Sequence, residues 1–112
     1  MPRPAADASP FSAIAHPTRR AVLDRLMAGE RSANALRNEL APGASQPAFS
    51  EHLSVLARAG LVSARAQGRE RLYSLNARPL ADAYDWLKPY EAFWEERLAR
   101  LGDYLDRKAR PQ

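Results

Sequence analysis

The chain has 112 residues, 46% hydrophobic and 27% charged, values that fit one globular domain and exclude wholesale disorder. Seventeen Lys+Arg, fifteen of them arginine, face thirteen Asp+Glu for a net charge of +4 and a pI near 10.0, a balance that nucleic-acid binders share with many basic proteins that bind none. Cysteine is absent, which removes disulfides and thiolate metal sites, and no apolar run nears the roughly 20 residues of a membrane span or forms a signal peptide, so the expectation is a cytoplasmic protein with no membrane partner.

Residues 1–8, rich in Pro and Ala, read as a flexible arm before a domain over 9–107. Ser9-Pro10 is an N-cap with proline at the first helical position, and Phe11, Ile14 and Ala15 give that short helix an apolar face. His16-Pro17 breaks it, because the residue before proline avoids the α region. A second helix starts at Pro17-Thr18, with Ala21, Val22, Leu26 and Met27 at helical spacing and Leu23 widening the stripe. Ser32 caps a third helix carrying Ala33, Leu36 and Leu40, which ends at Pro42-Gly43. Ser45 caps a fourth, with Phe49, Leu53 and Leu56 on one face, and Gly60 closes it. Val62–Gln67 and Glu70–Leu75 flank Gly68-Arg69 and read as a β-hairpin. From about 78 to 107 the chain is helical again, with a kink or a short break expected at Pro89 and a frayed tail over 108–112.

The order α-α-α-α-β-β-α, mainly helical with one small hairpin, is that of a winged helix-turn-helix: helix-turn-helix about 32–59, wing about 62–75, and a long C-terminal helix. In that architecture the second helix of the pair enters a major groove of double-stranded DNA. With Phe49, Leu53 and Leu56 inward, the opposite face presents Pro47, Ala48, Ser50, Glu51, Ser54 and Arg58 behind the cap Ser45, with Gln46 at the leading end of the helix. Small side chains there let the backbone lie deep in a groove, hydroxyls can reach bases or phosphates, and an amide such as Gln46 matches adenine N6 and N7. Arg65, Arg69 and Arg71 cluster about Gly68, so the wing can reach the DNA backbone or minor groove.

The stretch Ala15-His16-Pro17-Thr18-Arg19-Arg20 and the stretch Ser45-Gln46-Pro47-Ala48-Phe49-Ser50-Glu51-His52-Leu53-Ser54-Val55-Leu56 resemble the opening and the recognition helix of the ArsR/SmtB-type repressors. Ala59-Gly60-Leu61-Val62 and Gly68-Arg69 through Leu75 resemble the approach to their wing and the wing itself. The resemblance spans about residues 11–105. It implies a homodimeric repressor that leaves an inverted-repeat operator on receiving a signal, with Gln46, Ser50 and Glu51 at positions where such repressors touch DNA. Many relatives carry a basic or histidine residue where Glu51 stands, and Pro47 has no N–H to offer.

Founding members of that family sense metals through cysteine pairs or His/Asp clusters. With only His16 and His52, each solitary in sequence, this chain resembles the cysteine-free subgroup, and neither a metal nor another cofactor is expected. His16 reads as a helix-end hydrogen bonder. Trp86, Tyr90, Phe93, Trp94, Leu98, Leu101 and Leu105 recur at helical spacing, and with Phe11 they fit a dimer interface, where aromatics are enriched; lining a pocket for an unknown small-molecule effector is the other reading. No nucleophile–base pair, phosphate-cradling loop or paired carboxylates point to an enzyme. The alternative function is a protein-interaction module that uses the same fold without specific DNA binding.

Overall fold

The computed structural model describes residues 9–109, excluding the side chains at 98, 106, 108 and 109. The expected N-terminal arm, the end of the tail and the side chain of Leu98 therefore lie outside it. The elements run α1 (Pro10–Ala13), α2 (Pro17–Leu26), β1 (Arg31–Ser32), α3 (Ala33–Leu40), α4 (Gln46–Arg58), β2 (Val62–Gln67), β3 (Glu70–Leu75), α5 (Arg78–Leu87), a 3-10 turn (Lys88–Tyr90) and α6 (Glu91–Ala109).

The first four helices start where a side chain can accept the orphan N–H groups of the first turn. The Ser9, Ser32 and Ser45 hydroxyls accept from the N–H of Phe11, Ala35 and Ala48, and His16 Nδ1 accepts from Thr18 N–H. The histidine is thus the helix-end hydrogen bonder expected of it.

The core forms where α2, α3 and α4 close on the sheet. Val22, Leu36, Leu56 and Leu61 are fully buried, and Leu26, Phe49, Leu53 and Val62 nearly so. Two expectations for the apolar stripes are corrected. In α1 the sealed residue is Ala13, while Phe11 is exposed and meets the Trp86 ring edge-on, centroids 5.8 Å apart. Met27, on the predicted stripe of α2, stands at the C-cap, where the helix has ended, and is 71% exposed.

The hairpin has the expected bounds, with Gly68 at φ +63 and, among the described residues, no non-glycine residue at positive φ. That is the pattern of a two-residue turn with glycine first. The sheet gains a strand that the sequence reading did not contain: β1 pairs antiparallel with β3, Arg31 opposite Tyr73 and Ser32 opposite Leu72, giving the order β1-β3-β2. In β2–β3, Val62 lies opposite Leu75 and Ala64 opposite Tyr73, so these four share the face toward the core. Ser63, Arg65, Leu72 and Ser74 share the outer face.

The predicted long C-terminal helix is two helices. Pro89 cannot donate to a helical ladder, and the chain passes through the 3-10 turn before α6 resumes. The last helix then runs out from the body. The radius of gyration is 18.5 Å and the longest dimension 63 Å, against about 13 Å for the radius of a compact chain of this length. Phe93, Trp94, Leu101, Tyr104 and Leu105 on α6 are each 46–65% exposed. Among the described residues, no helix is long and apolar enough to cross a membrane.

Candidate nucleic-acid interface

The recognition face is fixed by burial on the opposite side. Phe49, Leu53 and Leu56, four and three residues apart, are at most 2% exposed, so this side of α4 faces the core. Gln46, Pro47, Ser50, Glu51, Ser54 and Arg58 then face outward, as expected. The turn before the helix is tied down by Arg37, whose Nη1 donates to the Ala44 carbonyl. The helix ends on Gly60 at φ +76, with Leu61 N–H donating to the Leu56 carbonyl and Gly60 N–H to the Ala57 carbonyl. That six-to-one, five-to-two pairing is the Schellman motif, and it feeds the chain directly into β2.

Folding brings the start of α4 and the tip of the wing together. Gln46 and Ser50 line a cleft of about 200 Å3 with Arg69, Glu70 and Arg71 of the hairpin. Neither Arg69 nor Arg71 has a hydrogen-bonding or ionic partner among the described residues. Two uncommitted guanidinium groups beside an amide and a hydroxyl make a site for an anionic, hydrogen-bonding ligand. Ser32, Asn34 and Tyr73 line the same cleft, and sequence reasoning missed them. The signal was present for Asn34: it stands in the first turn of α3 just after the cap, where a polar side chain faces outward.

The other candidates are placed differently. Arg58 Nη2 lies 3.4 Å from Glu51 Oε1, so these two exposed residues of the reading face engage each other. Arg65 is on the outer face of the sheet, away from Arg71, and its guanidinium grips Glu30 bidentately at 3.0 and 2.8 Å. That hydrogen bond holds the Glu30 carboxyl below its ordinary pKa and raises the Arg65 guanidinium. Arg25 pairs with Glu39 just beneath, lowering that carboxyl too. Arg65 thus ties the wing to the segment entering β1, while Arg69 and Arg71 stand free. Ser54 is exposed on the reading face and lines none of the cleft.

His52, on the recognition helix, is not solitary in space. Its ring centroid lies 4.3 Å from that of His16, and Arg19 Nη1 is 3.2 Å from its Nδ1. Burial lowers its pKa from the ordinary imidazole value, and the nearby His16 and Arg19 lower it further, against a smaller opposing pull from Glu51. Two histidines and an arginine do not make a metal site, and among the described residues no group of three or more His, Cys, Asp or Glu could hold one.

A helix-turn-helix domain family matches residues 14–64. The transcriptional repressor SdpR of Bacillus subtilis is 36% identical over 77 residues, 69% of this chain and 83% of that protein. The HTH-type transcriptional regulator Rv2034 of Mycobacterium tuberculosis is 35% identical over 96 residues, 86% of this chain and 85% of that protein. Among solved structures, the crystal structure of an ArsR family transcriptional regulator superposes with a TM-score of 0.66 at 33% identity, covering 76% of this chain and 86% of that one. These relatives are regulators, not enzymes, and the solved structure shares the overall fold. This chain belongs to the ArsR family of DNA-binding transcription regulators.

Proposed function

We propose that the protein is a repressor that binds an inverted-repeat operator as a homodimer, with Gln46 and Ser50 reading bases and Arg69 and Arg71 clamping phosphates. One observation carries the reading: the free arginines of the wing and the polar start of α4 open into the same cleft. Ser45 supports this surface as the cap of α4. Glu51 and Arg58 act as a pair that DNA must accept or separate, Ser54 stands further along the helix, and Arg65 serves as the wing's anchor.

The dimer reading rests on surface. On the aromatic-lined arm Trp86, Phe93, Leu101 and Leu105 are each more than half exposed, and Tyr90, Trp94 and the neighbouring Phe11 nearly so, a patch of the kind a stable interface covers, at about 800 Å2 per partner. For an apolar effector, the place is the groove of about 310 Å3 where Leu23 of α2 and Met27 just after it meet Leu75 and Leu80, a size at the lower end for small-molecule sites.

The test is binding to the protein's own upstream DNA across a salt series. Replacing Arg69 and Arg71 together with Ala should weaken binding to all duplexes alike. It should also flatten the log–log salt slope by about 0.9 per lost phosphate contact. An unchanged affinity and slope would remove the wing from the interface. No preference of the wild type for its upstream DNA over random duplex would end the operator reading.

A further inference from the structure

Arg19 lies outside the reading surface, yet its guanidinium joins three elements. Nε donates to the Ala13 carbonyl at 2.7 Å and Nη2 to the Ser12 carbonyl at 3.2 Å, both at the end of α1. Nη1 lies 3.2 Å from Nδ1 of His52, midway along α4. A guanidinium is a donor only, so His52 Nδ1 is the acceptor and carries no proton. At the start of the same short helix, Phe11 meets Trp86 of α5, whose ring lies 5.2 Å from that of Tyr90. A continuous set of contacts thus runs from the C-terminal arm through α1 to the recognition helix.

We propose that Arg19 is a positioning residue that fixes the pose of the recognition helix against α1, and through the Phe11–Trp86 contact ties that pose to the arm. The inference rests on the reading of α4 as the helix that meets DNA. Apolar burial seats α4 but is non-directional. The planar fork of Arg19 is directional, and it holds one helix end and one side chain in a single geometry. Lysine, with one ammonium centre, cannot span the same three acceptors.

The arrangement requires a neutral His52. Protonated, His52 would turn an N–H toward the Arg19 N–H, donor against donor and charge against charge. The groups around it are His16 at the cap of α2, Arg19 from α2 and Glu51 from its own helix, and Glu51 is already engaged by Arg58. A histidine whose pKa is lowered by folding contributes stability that is present in full above about pH 6.5 and is lost as pH falls through the lower, folded value. The strut is therefore closed at neutral pH and opened by acid. Phosphate near a protonated histidine would act the other way, strengthening binding in acid, so the sign of the pH effect discriminates.

The experiment measures affinity of the full chain for its own upstream DNA at fixed salt, near pH 7.5 and near pH 5.5. Wild type should bind more tightly at the higher pH and weaken at the lower, by less than about tenfold because folding holds the His52 pKa below its ordinary value. Arg19→Met, checked for folding by circular dichroism, should be weakened by about tenfold at the higher pH and change little on acidification. His52→Asn places an amide oxygen where Nδ1 was and does not titrate, so its affinities at the two pH values should agree within about twofold. Should Arg19→Met fail to fold, Arg19→Lys takes its place, with the same expectation. An arginine variant equal to wild type, or a wild type that binds more tightly in acid, overturns the proposal. A wild type with no affinity for its upstream DNA at either pH instead overturns the operator reading on which it rests.

Discussion

The body and the arm of this molecule obey different rules. From α2 to β3 each apolar stripe finds a partner within the chain, and eight core side chains are at most 4% exposed. From Trp86 onward the apolar side chains are larger, yet Trp86, Phe93, Leu101 and Leu105 are each more than half exposed. The same helical spacing underlies both. The spacing states that a face is apolar; it does not state which chain will cover it. The body is complete as drawn, whereas the arm has the surface of half an interface.

The largest expected effect lies in the body. Phe49→Ala removes a sealed ring from the inner face of α4 and should cost about 3–5 kcal/mol, measured as a lower denaturant midpoint at constant m-value. A loss under about 1 kcal/mol would show that the body is less self-sufficient than its burial implies.

In the arm the same kind of change should act on assembly. Leu101→Arg combined with Leu105→Arg should leave the helical content and the core packing in place but convert a dimer to a monomer in sedimentation. It should also remove the rise of thermal midpoint with protein concentration that a dimer shows. A dimer that survived both charges would move the interface off α6.

The smallest effect is at the seam between wing and body. Glu30 has its pKa lowered by Arg65. Its contribution is therefore present in full above the ordinary carboxyl value near 4.5 and lost as pH falls through the lower, folded value. The acid limb of a melting-temperature profile should be shallower in Glu30→Gln than in wild type; identical limbs would mean that the exposed pair adds nothing.

What could be read from the sequence was local. Ser9, Ser32 and Ser45 cap within three residues of themselves, Gly68 makes its own turn, and Pro89 interrupts its own helix, so these features were legible. The Phe49–Leu53–Leu56 face followed from spacing, the outward set Ser50, Glu51, Ser54 and Arg58 followed from it, and Gln46 was legible from its place at the leading end of the helix. The features missed join distant residues. Strand β1 is two residues long and exists only because β3, some forty residues later, lies beside it. His16 and His52 looked solitary because their stacking is a property of how α2 crosses α4. Arg65 and Arg71 look equivalent around Gly68, and only the pairing of β2 with β3 puts them on opposite faces. A partner such as Glu30 has no signature in the residues around Arg65.

The 3-10 turn at Lys88–Tyr90 has a metric consequence. In a two-fold assembly built on the arms, the angle at which α6 leaves the body sets the distance between the two copies of α4. DNA offers equivalent groove faces only about every 10–10.5 base pairs, so that distance must match the separation of the half-sites. In such an assembly three residues at a proline joint would hold the gauge of the operator. Spacing can be retuned at Pro89 by a small change of bend, with the reading surface and the sealed core both left as they are.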